Sequence, residues 1–342
     1  MESLNIKYRP RTFEDVCGQN ITVKLLHKVI ETKKFQNVYL FAGSSGCGKT
    51  TTARIFANSI NKGIGSPIEI DAASNNGVDE VRAIIDSAKQ RAIVGEYKIF
   101  IIDEAHAITT QGWQAFLKGI EEPPKYTIFI FCTTDPNKIP VTVLNRMQRF
   151  NFTPLSLEEV YNRLLYICQQ EHFTNFEQTC DLISKLSNGC MREAITYLDT
   201  ISGFSTNLSL DLAKQIFKNV SYETMFKLTW ALQNKNEKDL FTILDELVIN
   251  GQDLKAFIDT YLTFILDLNK YKIFNTLSVT KIPEYLSSEK NPVVQFTTKD
   301  DNFVDFANKL AETLFKIKSA IKYDQTVKET IIVLLLSFMG VS

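Results

Sequence analysis

The sequence of 342 residues contains little glycine and proline, 14 and 9 residues respectively. These low counts exclude collagen-like and low-complexity chains, and a hydrophobic share of 44% excludes a disordered one. The six cysteines are dispersed without a CxxC pair and the three histidines are scattered, so neither a disulfide framework nor a zinc site is indicated. We expect the cysteines to be buried small apolar residues. The composition is that of a globular chain with room for two or three domains.

Long apolar runs are missing as well. The longest, Ile331 to Met339, is about half of what a bilayer span needs, and Met1 to Pro10 has no apolar signal-peptide core. We therefore expect a cytoplasmic protein without a membrane partner.

Charge is distributed unevenly along the chain. Residues 1–154 carry 19 Lys and Arg against 15 Asp and Glu, whereas the remainder carries 19 Lys and Arg against 24 Asp and Glu. An anionic ligand near the N-terminal part and a chance fluctuation of surface charge both explain this difference.

Short β-branched and aromatic runs alternate with helical stretches in the first half of the chain. The predicted strands are Asn37–Ala42, Ile68–Asp71, Lys98–Asp103 and Thr127–Thr133, and the helices between them are Thr50–Ile60, Val78–Arg91 and Gln111–Glu121. This alternation predicts an α/β core with a parallel sheet.

After Pro154 amphipathic helical patterns dominate, and no further buried strand is predicted. The first helix begins at the N-cap Ser156, with Glu158 and Glu159 in its first turn. Further helices are predicted at 176–186, 188–198, 222–233, 239–249, 254–270 and 303–322, with 276–301 as a long connection.

The segment Gly43-Ser44-Ser45-Gly46-Cys47-Gly48-Lys49-Thr50 follows the first predicted strand and opens a helix. Pattern and context fit a P-loop, in which glycines let successive backbone N–H groups converge on phosphate oxygens. Lys49 would add a cation for the β- and γ-phosphates, and Thr50 would offer a hydroxyl to Mg²⁺. The alternative interpretation is a glycine-rich turn.

Asp103 and Glu104 end the strand Lys98–Asp103, which predicts that both carboxylates lie at the carboxyl edge of the sheet beside the P-loop. Asp103 would hold Mg²⁺, directly or through water, and Glu104 would polarise the water that attacks the γ-phosphate. Taken alone, an acidic pair at a strand end is more often a solvated cap. The upstream P-loop favours the catalytic interpretation.

Four further residues are open to two interpretations each. Thr133 and Thr134 end a predicted strand, where a polar residue could sense the γ-phosphate or orient the water, or could be a hydroxyl without a role. Arg146 and Arg192 lie far from the P-loop in sequence, and without further information each is best interpreted as a surface arginine.

A series of motifs shared with one known family changes that interpretation. In chain order they are Tyr8-Arg9-Pro10, Phe13, Gly18-Gln19, the P-loop, Glu69 to Gly77, Asp103-Glu104-Ala105-His106, Glu121-Glu122-Pro123-Pro124 and Thr133-Thr134-Asp135-Pro136. This order closely resembles the gamma/tau subunits of bacterial clamp loaders, with replication factor C small subunits as more distant relatives. The resemblance extends to about Thr200. The helices beyond resemble the family's oligomerising collar in length and pattern alone.

The resemblance implies an AAA+ ATPase in a ring-like assembly of five subunits, which opens a sliding clamp and places it on primed DNA. Its modules would be a nucleotide-binding core at 1–154, a helical lid at 155–206 and a helical collar at 207–342. ATP and Mg²⁺ are the implied cofactors, and the implied partners are other clamp loader subunits, the sliding clamp and primer-template DNA. Arg82 and Lys89 are candidates for contacts with the DNA backbone, and a solvated helix face is their alternative.

The family's site residues carry over one by one. The adenine pocket would be lined by Tyr8, Arg9, Pro10 and Val16. The phosphates would be held by Gly43, Ser44, Ser45, Gly46, Cys47, Gly48, Lys49, Thr50 and Thr51. Thr134 would be sensor 1, and Arg192 would be sensor 2, a lid arginine that approaches the γ-phosphate. Arg146 would be the arginine finger, offered to the ATP of the neighbouring subunit.

The sequence departs from the family pattern in three places. The finger motif is usually Ser-Arg-Cys and here is Asn145-Arg146-Met147. The usual four-cysteine zinc module is replaced by the short connection Asn61 to Pro67, so we expect no zinc. The sequence ends at Ser342 without the tail of longer forms, so we expect a short form suited to a compact, for example phage-encoded, replisome.

Two other functions compete with the motor subunit of a clamp loader. One is a scaffold subunit that binds nucleotide without hydrolysing it, against which the intact Lys49, Thr50, Asp103 and Glu104 argue. The other is a different AAA+ machine on DNA, such as a branch-migration helicase, which should carry a DNA-binding winged helix after the lid.

Overall fold

A computed structural model describes residues 2–217, 222–249, 251–277, 279–283, 286, 293–324 and 326–340 of the chain. The chain forms two compact units, Met1–Phe173 with Ser187–Thr206, and Thr174–Leu186 with Asn207–Ser342. One helix of the predicted lid, at 176–186, thus groups with the C-terminal helices. The three modules implied by the resemblance stay a prediction.

Five parallel strands form the sheet of the first unit. They are β1 (Val38–Gly43), β2 (Ile68–Asp71), β3 (Lys98–Asp103), β4 (Thr127–Thr133) and β5 (Gln148–Phe152), in the order β2-β3-β4-β1-β5. The predicted α/β class and the four predicted strands are confirmed. All five strands run in the same direction, so their carboxyl ends lie at one edge of the sheet. Gly43 at the end of β1, Asp103 at the end of β3 and Thr133 at the end of β4 therefore lie at this edge. β4 lies between β1 and β3.

β5 is absent from the strands predicted above. Only Phe150 and Phe152 of its residues are buried, and its other positions are polar and exposed because β5 is an edge strand paired with β1 alone. Such a short pattern carries little strand signal. Gly43 is required where these two strands meet, since a Cβ there would lie 2.1 Å from the carbonyl oxygen of Phe152.

Helices cover both faces of the sheet. Numbered along the chain, those of the first unit are α1 (Leu4–Lys7), α2 (Asn20–Thr32), α3 (Lys49–Ile60), α4 (Val78–Ala88), α5 (Thr110–Glu121), α6 (Val141–Leu144), α7 (Leu157–Gln170) and α9 (Met191–Ser202). Alternate strand residues point to opposite faces, so Leu40 packs with α4 and α5 whereas Phe41 packs with α2 and α3. α1, α2 and α6 were not predicted, and α4 ends at Ala88 rather than at Arg91. The predicted cap Ser156 is confirmed as part of a capping box with Glu159.

The described residues of the second unit contain helices and no strand longer than an isolated bridge between Thr174 and Asn207. The helices are α8 (Glu177–Leu186), α10 (Leu210–Ile216), α11 (Tyr222–Gln233), α12 (Glu237–Ile249), α13 (Leu254–Phe274), α14 (Val293–Thr297), α15 (Phe303–Ala320) and α16 (Val327–Met339). α10, α14 and α16 were not predicted. α14 lies inside the predicted connection 276–301, of which 278, 284–285 and 287–292 are outside the described residues.

Two buried charged side chains of this second unit have partners of opposite charge. The ammonium group of Lys185 on α8 pairs with Asp181 at 2.9 Å and donates to the carbonyl oxygen of Ile282 at 2.9 Å. The carboxylate of Asp267 on α13 pairs with Lys270 at 3.0 Å and accepts from the backbone N–H of Lys281 at 2.9 Å. Both buried side chains therefore have the partners that burial of a charge requires.

No helix in the described part of the chain is both long and apolar enough to cross a membrane.

Candidate functional site

The P-loop segment connects the end of β1 to the start of α3, as the motif predicts. Gly46 and Gly48 have φ of +66° and +99°, values that side chains other than glycine rarely adopt. Lys49 is buried in the first turn of α3, and its ammonium group donates to the carbonyl oxygens of Gly43 at 2.9 Å and Ser44 at 2.7 Å. The loop therefore presents a cation and the free N–H groups of a helix start at one point, which is an arrangement that binds anions.

The side chains of Thr50, in the first turn of α3, and Asp103, at the end of β3, are in contact. The Thr50 hydroxyl donates to Oδ2 of Asp103 at 2.8 Å, although 53 residues separate them in sequence. A hydroxyl and a carboxylate are the oxygen ligands that Mg²⁺ takes in phosphate-binding sites. The two predicted metal ligands thus lie where a magnesium ion would need them, and the pair fits that ion.

Glu104 lies immediately beyond Asp103, at the start of a 3₁₀ turn, Ala105–Ala107. Its carboxylate oxygen Oε2 is 3.4 Å from the hydroxyl of Thr134, the predicted sensor 1. The same oxygen is 3.2 Å from Nδ1 of His106. The predicted base and the predicted sensor are therefore in contact, because β4 ends next to β3 in the sheet.

A cavity of about 290 Å³ opens over the P-loop. The predicted residues that line it are Tyr8, Arg9, Pro10, Val16, Ser45, Gly46, Cys47, Gly48, Lys49, Thr50, Thr51, Asp103, Glu104 and Arg192. Gly43 and Ser44 do not line it and instead accept hydrogen bonds from Lys49. Its size is close to the lower end of the range found for small-molecule sites.

The wall of the cavity that contains Tyr8 is fixed by α7. Arg163 donates to the carbonyl oxygen of Tyr8 at 2.9 Å, and the ring of Tyr166 packs edge-on against the Tyr8 ring at 6.4 Å. The Tyr8 hydroxyl donates to the carboxylate of Glu171. These contacts hold the Tyr8-Arg9-Pro10 segment in place beside the P-loop.

The opposite wall comes from α9. The backbone N–H of Met191 donates to the carbonyl oxygen of Gly46 at 3.2 Å, and a Cβ on Gly46 would lie 2.1 Å from Sγ of Cys190. Only glycine therefore allows α9 to begin against the P-loop. That contact places the next residue, Arg192, at the cavity.

Cations crowd this end of the cavity. Burial, followed by the positive charges of Arg54 and Arg192, lowers the pKa of Arg9. A lowered pKa means that the charged form of Arg9 is disfavoured where it stands. A bound anion would relieve this repulsion, so the arrangement favours a phosphate-bearing ligand.

Arg146 does not line the cavity. It follows α6, and its guanidinium pairs with Glu121 at the end of α5 at 2.7 Å and donates to the carbonyl oxygen of Thr142. Together with Gln36 and Asn37 it lines a hollow at the amino end of β1, opposite the P-loop. Six strand residues, at roughly 3.3 Å each, separate those two ends. Arg146 cannot serve the P-loop of its own chain.

The cysteines were expected to be buried, and Cys47, Cys132, Cys168 and Cys180 are. Cys17 and Cys190 are only partly buried, and Cys17 lines the cavity, so the expectation was wrong for these two. Burial raises the pKa of the Cys47 and Cys132 thiols, as expected of structural cysteines.

Among the described residues no group of three or more His, Cys, Asp or Glu could hold a metal ion. The absence of zinc stays a prediction.

Several residues of the site were not predicted from the sequence. His106 contacts Glu104, and Gln19 donates to the carbonyl oxygens of Thr153 at 2.6 Å and Cys47 at 3.4 Å. Both residues belong to motifs quoted above, so the sequence did mark them. Their positions in the sequence do not show which residues they contact. Arg163 and Glu171 carry no such signal.

Comparison with known proteins gives consistent matches. The family "DNA polymerase III, delta subunit" matches residues 66–156. The chain is 38% identical over 287 residues to DNA polymerase III subunit tau of Bacillus subtilis, covering 78% of this chain and 51% of that protein. It is 33% identical over 296 residues to DNA polymerase III subunit gamma/tau of Mycoplasma genitalium, covering 80% and 50%. The chain spans about half the length of the curated relatives it matches.

Among solved structures, the chain resembles the RuvB Holliday junction branch migration motor of Thermotoga maritima. The TM-score is 0.53 at 18% sequence identity, covering 66% of this chain and 79% of that one. At this identity the likeness concerns the fold alone. It supports the α/β fold with a parallel sheet that was expected from the sequence.

The contact between Glu171 and the Tyr8 segment predicts a pH-dependent contribution to stability. Hydrogen bonds from Lys7 and Tyr8 lower the pKa of Glu171. A carboxyl group whose pKa is lower in the folded state stabilises the fold above its unfolded pKa of about 4.3, and that stabilisation disappears as the pH falls through the folded pKa. We expect Glu171→Gln to melt below the wild type at pH 7, with the two melting temperatures converging at acid pH. The exposed Glu122→Gln is the control, and a difference that stays constant with pH would contradict this assignment.

Proposed function

We propose that this chain, a homologue of the gamma/tau subunits of bacterial DNA polymerase III, is an ATP-hydrolysing motor subunit of a sliding-clamp loader. The observation that carries the proposal is the convergence of Lys49, the Thr50–Asp103 pair and Glu104 on one cavity. These are the groups that phosphoryl transfer to water requires, namely a phosphate-binding cation, metal ligands and a carboxylate.

Each group has a distinct task in this proposal. Lys49 leaves the two carbonyl oxygens that it now contacts and binds the β- and γ-phosphates. Thr50 and Asp103 would hold Mg²⁺, which would supply positive charge against the phosphate oxygens. Glu104 accepts a proton from the attacking water, and Thr134 fixes the orientation of that carboxylate. Arg192 adds positive charge from the start of α9, which already lies against the P-loop.

The position of Arg146 supports a role in the site of another subunit. It lies at the sheet edge opposite the P-loop, where a second chain could present its nucleotide. Its ion pair with Glu121 is partly exposed, with 41% and 42% of the two side chains accessible, and such pairs contribute little free energy. The guanidinium is therefore free to exchange this partner for a phosphate. Met147, which replaces the family's cysteine, is buried in the sheet core and leaves the arginine itself exposed.

Contacts with DNA are proposed for the outer surface of α4. Arg82 and Lys89 lie there in exposed pairs with Asp79 at 3.3 Å and Asp86 at 2.7 Å. Exposed ion pairs three residues apart are weak, so both side chains can turn to a phosphate backbone. The competing helicase function is disfavoured because the described residues after β5 form no strand pair of the kind that a winged helix needs.

The first prediction tests the function as a whole. Steady-state ATP hydrolysis by the assembled chain should rise when a matched sliding clamp and primed DNA are added together, because only a clamp loader needs both. The stimulation by DNA should weaken as salt is raised, since backbone contacts release counterions. Stimulation by DNA alone, unaffected by the clamp, would favour a different motor. An absence of hydrolysis with retained ATP binding would favour the scaffold subunit.

The second prediction separates binding from chemistry. Lys49→Ala should abolish the nucleotide binding that calorimetry detects, whereas Glu104→Gln should bind ATP normally and lower kcat by about 10²- to 10⁴-fold. The exposed Lys62→Ala serves as a control for loss of a positive charge. Equal ATP affinity of Lys49→Ala and the wild type would rule out the assignment of Lys49.

The third prediction concerns Arg146. The Arg146→Ala variant retains an intact P-loop but lacks the arginine finger. The Lys49→Ala variant retains the finger but should bind no nucleotide. Each variant alone should hydrolyse ATP poorly, because a finger contributes roughly 10³- to 10⁵-fold in rate. A mixture should recover part of the activity, since some interfaces then join an intact P-loop to an intact Arg146. If light scattering shows that the two variants co-assemble and the mixture is still no more active than its components, Arg146 is not a finger in trans.

A further inference from the structure

His106 occupies a crowded polar position next to the proposed base. It lies in the 3₁₀ turn that follows Glu104, and its side chain is 22% exposed. Nδ1 of the ring is 3.2 Å from Oε2 of Glu104 and 3.3 Å and 3.4 Å from the hydroxyls of Thr133 and Thr134. One ring nitrogen thus contacts residues from the ends of two neighbouring strands.

Glu104 needs such contacts to be held in one orientation. Its backbone has a φ of +49°, and its carboxylate is 42% exposed, so the side chain has room to rotate. Both contacts on the carboxylate, from His106 and Thr134, fall on Oε2. Within the described part of the chain no hydrogen bond reaches Oε1, and that oxygen remains able to accept a proton from water.

We propose that His106 is a positioning residue for Glu104, a role that rests on the function proposed above. An ionised carboxylate only accepts hydrogen bonds, so the proposed role places a proton on Nδ1 of His106. With that proton in place, the imidazole and the Thr134 hydroxyl hold Oε2 and leave Oε1 to face the water. The orientation of the carboxylate is thereby set before the reaction begins.

His106 is not among the residues that line the cavity, so the proposed role acts through Glu104 and not through the nucleotide. Loss of the ring should therefore change the chemical step and leave binding unchanged. A loss of general stability would instead affect the amount of folded protein and not kcat per folded site.

The tautomer of His106 tests the contact without any assay of activity. The chain has three histidines, His27, His106 and His172, so single substitutions assign their ring signals in ¹⁵N NMR spectra. In the wild type with a neutral ring, His106 should carry its proton on Nδ1. In Glu104→Ala, which removes the acceptor, the proton should redistribute toward Nε2. His27 is an internal control because its Nδ1 is 3.2 Å from Glu31 on the surface of α2, and its signals should stay unchanged.

Kinetics test the consequence. His106→Ala should lower kcat by about 10- to 100-fold, the effect of misplacing a reacting group by about 1 Å, with KM and ATP affinity within about twofold of the wild type. His106→Asn should restore most of the rate, because its amide nitrogen is bonded to Cγ as Nδ1 is. His106→Gln should not, since its amide nitrogen lies one bond further out, near the position of Nε2. His27→Asn should match the wild type.

The outcomes are distinct. An unchanged kcat in His106→Ala, or a proton on Nε2 in the wild type, would overturn the positioning role. A rise in kcat would overturn it as well, since the ring would then restrain the carboxylate rather than orient it. If the wild type itself does not hydrolyse ATP, the proposed function fails, and the tautomer comparison still decides whether the contact with Glu104 exists.

Discussion

The parallel direction of the five strands is the constraint on which the site depends. It brings the ends of β1, β3 and β4 to one edge, where the P-loop, Asp103 and Thr134 meet although up to 90 residues of sequence separate them. The hydrogen bond between Thr50 and Asp103 spans this edge and joins the first turn of α3 to the end of β3. A sheet with one strand reversed would send one of these groups to the far side of the unit.

Close backbone approach completes the site. Gly43 lets β1 end against the carbonyl oxygen of Phe152, and Gly46 lets α9 begin against the loop. The contact at Gly46 determines the position of Arg192, because the preceding residue, Met191, donates a backbone hydrogen bond to the carbonyl oxygen of Gly46. The absence of a side chain at Gly46 therefore lets Arg192 reach the cavity. Burial, followed by the charges of Arg54 and Arg192, lowers the pKa of Arg9, and a bound anion would relieve the repulsion among these cations.

The two edges of the sheet have different roles in the proposed function. The carboxyl edge would hold the nucleotide, and the amino edge exposes Arg146 beside Glu121. One chain cannot bring both to the same nucleotide, because the length of β1 lies between them. In an assembly, each interface would join the amino edge of one chain to the carboxyl edge of the next, which makes hydrolysis depend on assembly.

The sequence by itself determined the elements with strong local patterns. The buried runs of β1, β3 and β4 are apolar on both faces, and the P-loop motif specifies a strand, a turn and a helix, so their identity required no tertiary information. Family resemblance added Arg192 and Arg146, which no local pattern distinguishes from surface arginines. β5 could not be predicted, because an edge strand buries only Phe150 and Phe152. The contacts of His106, Arg163 and Glu171 likewise came only from the tertiary structure, since a contact between distant residues depends on the order of strands and the packing of helices, which spacing along the chain does not encode.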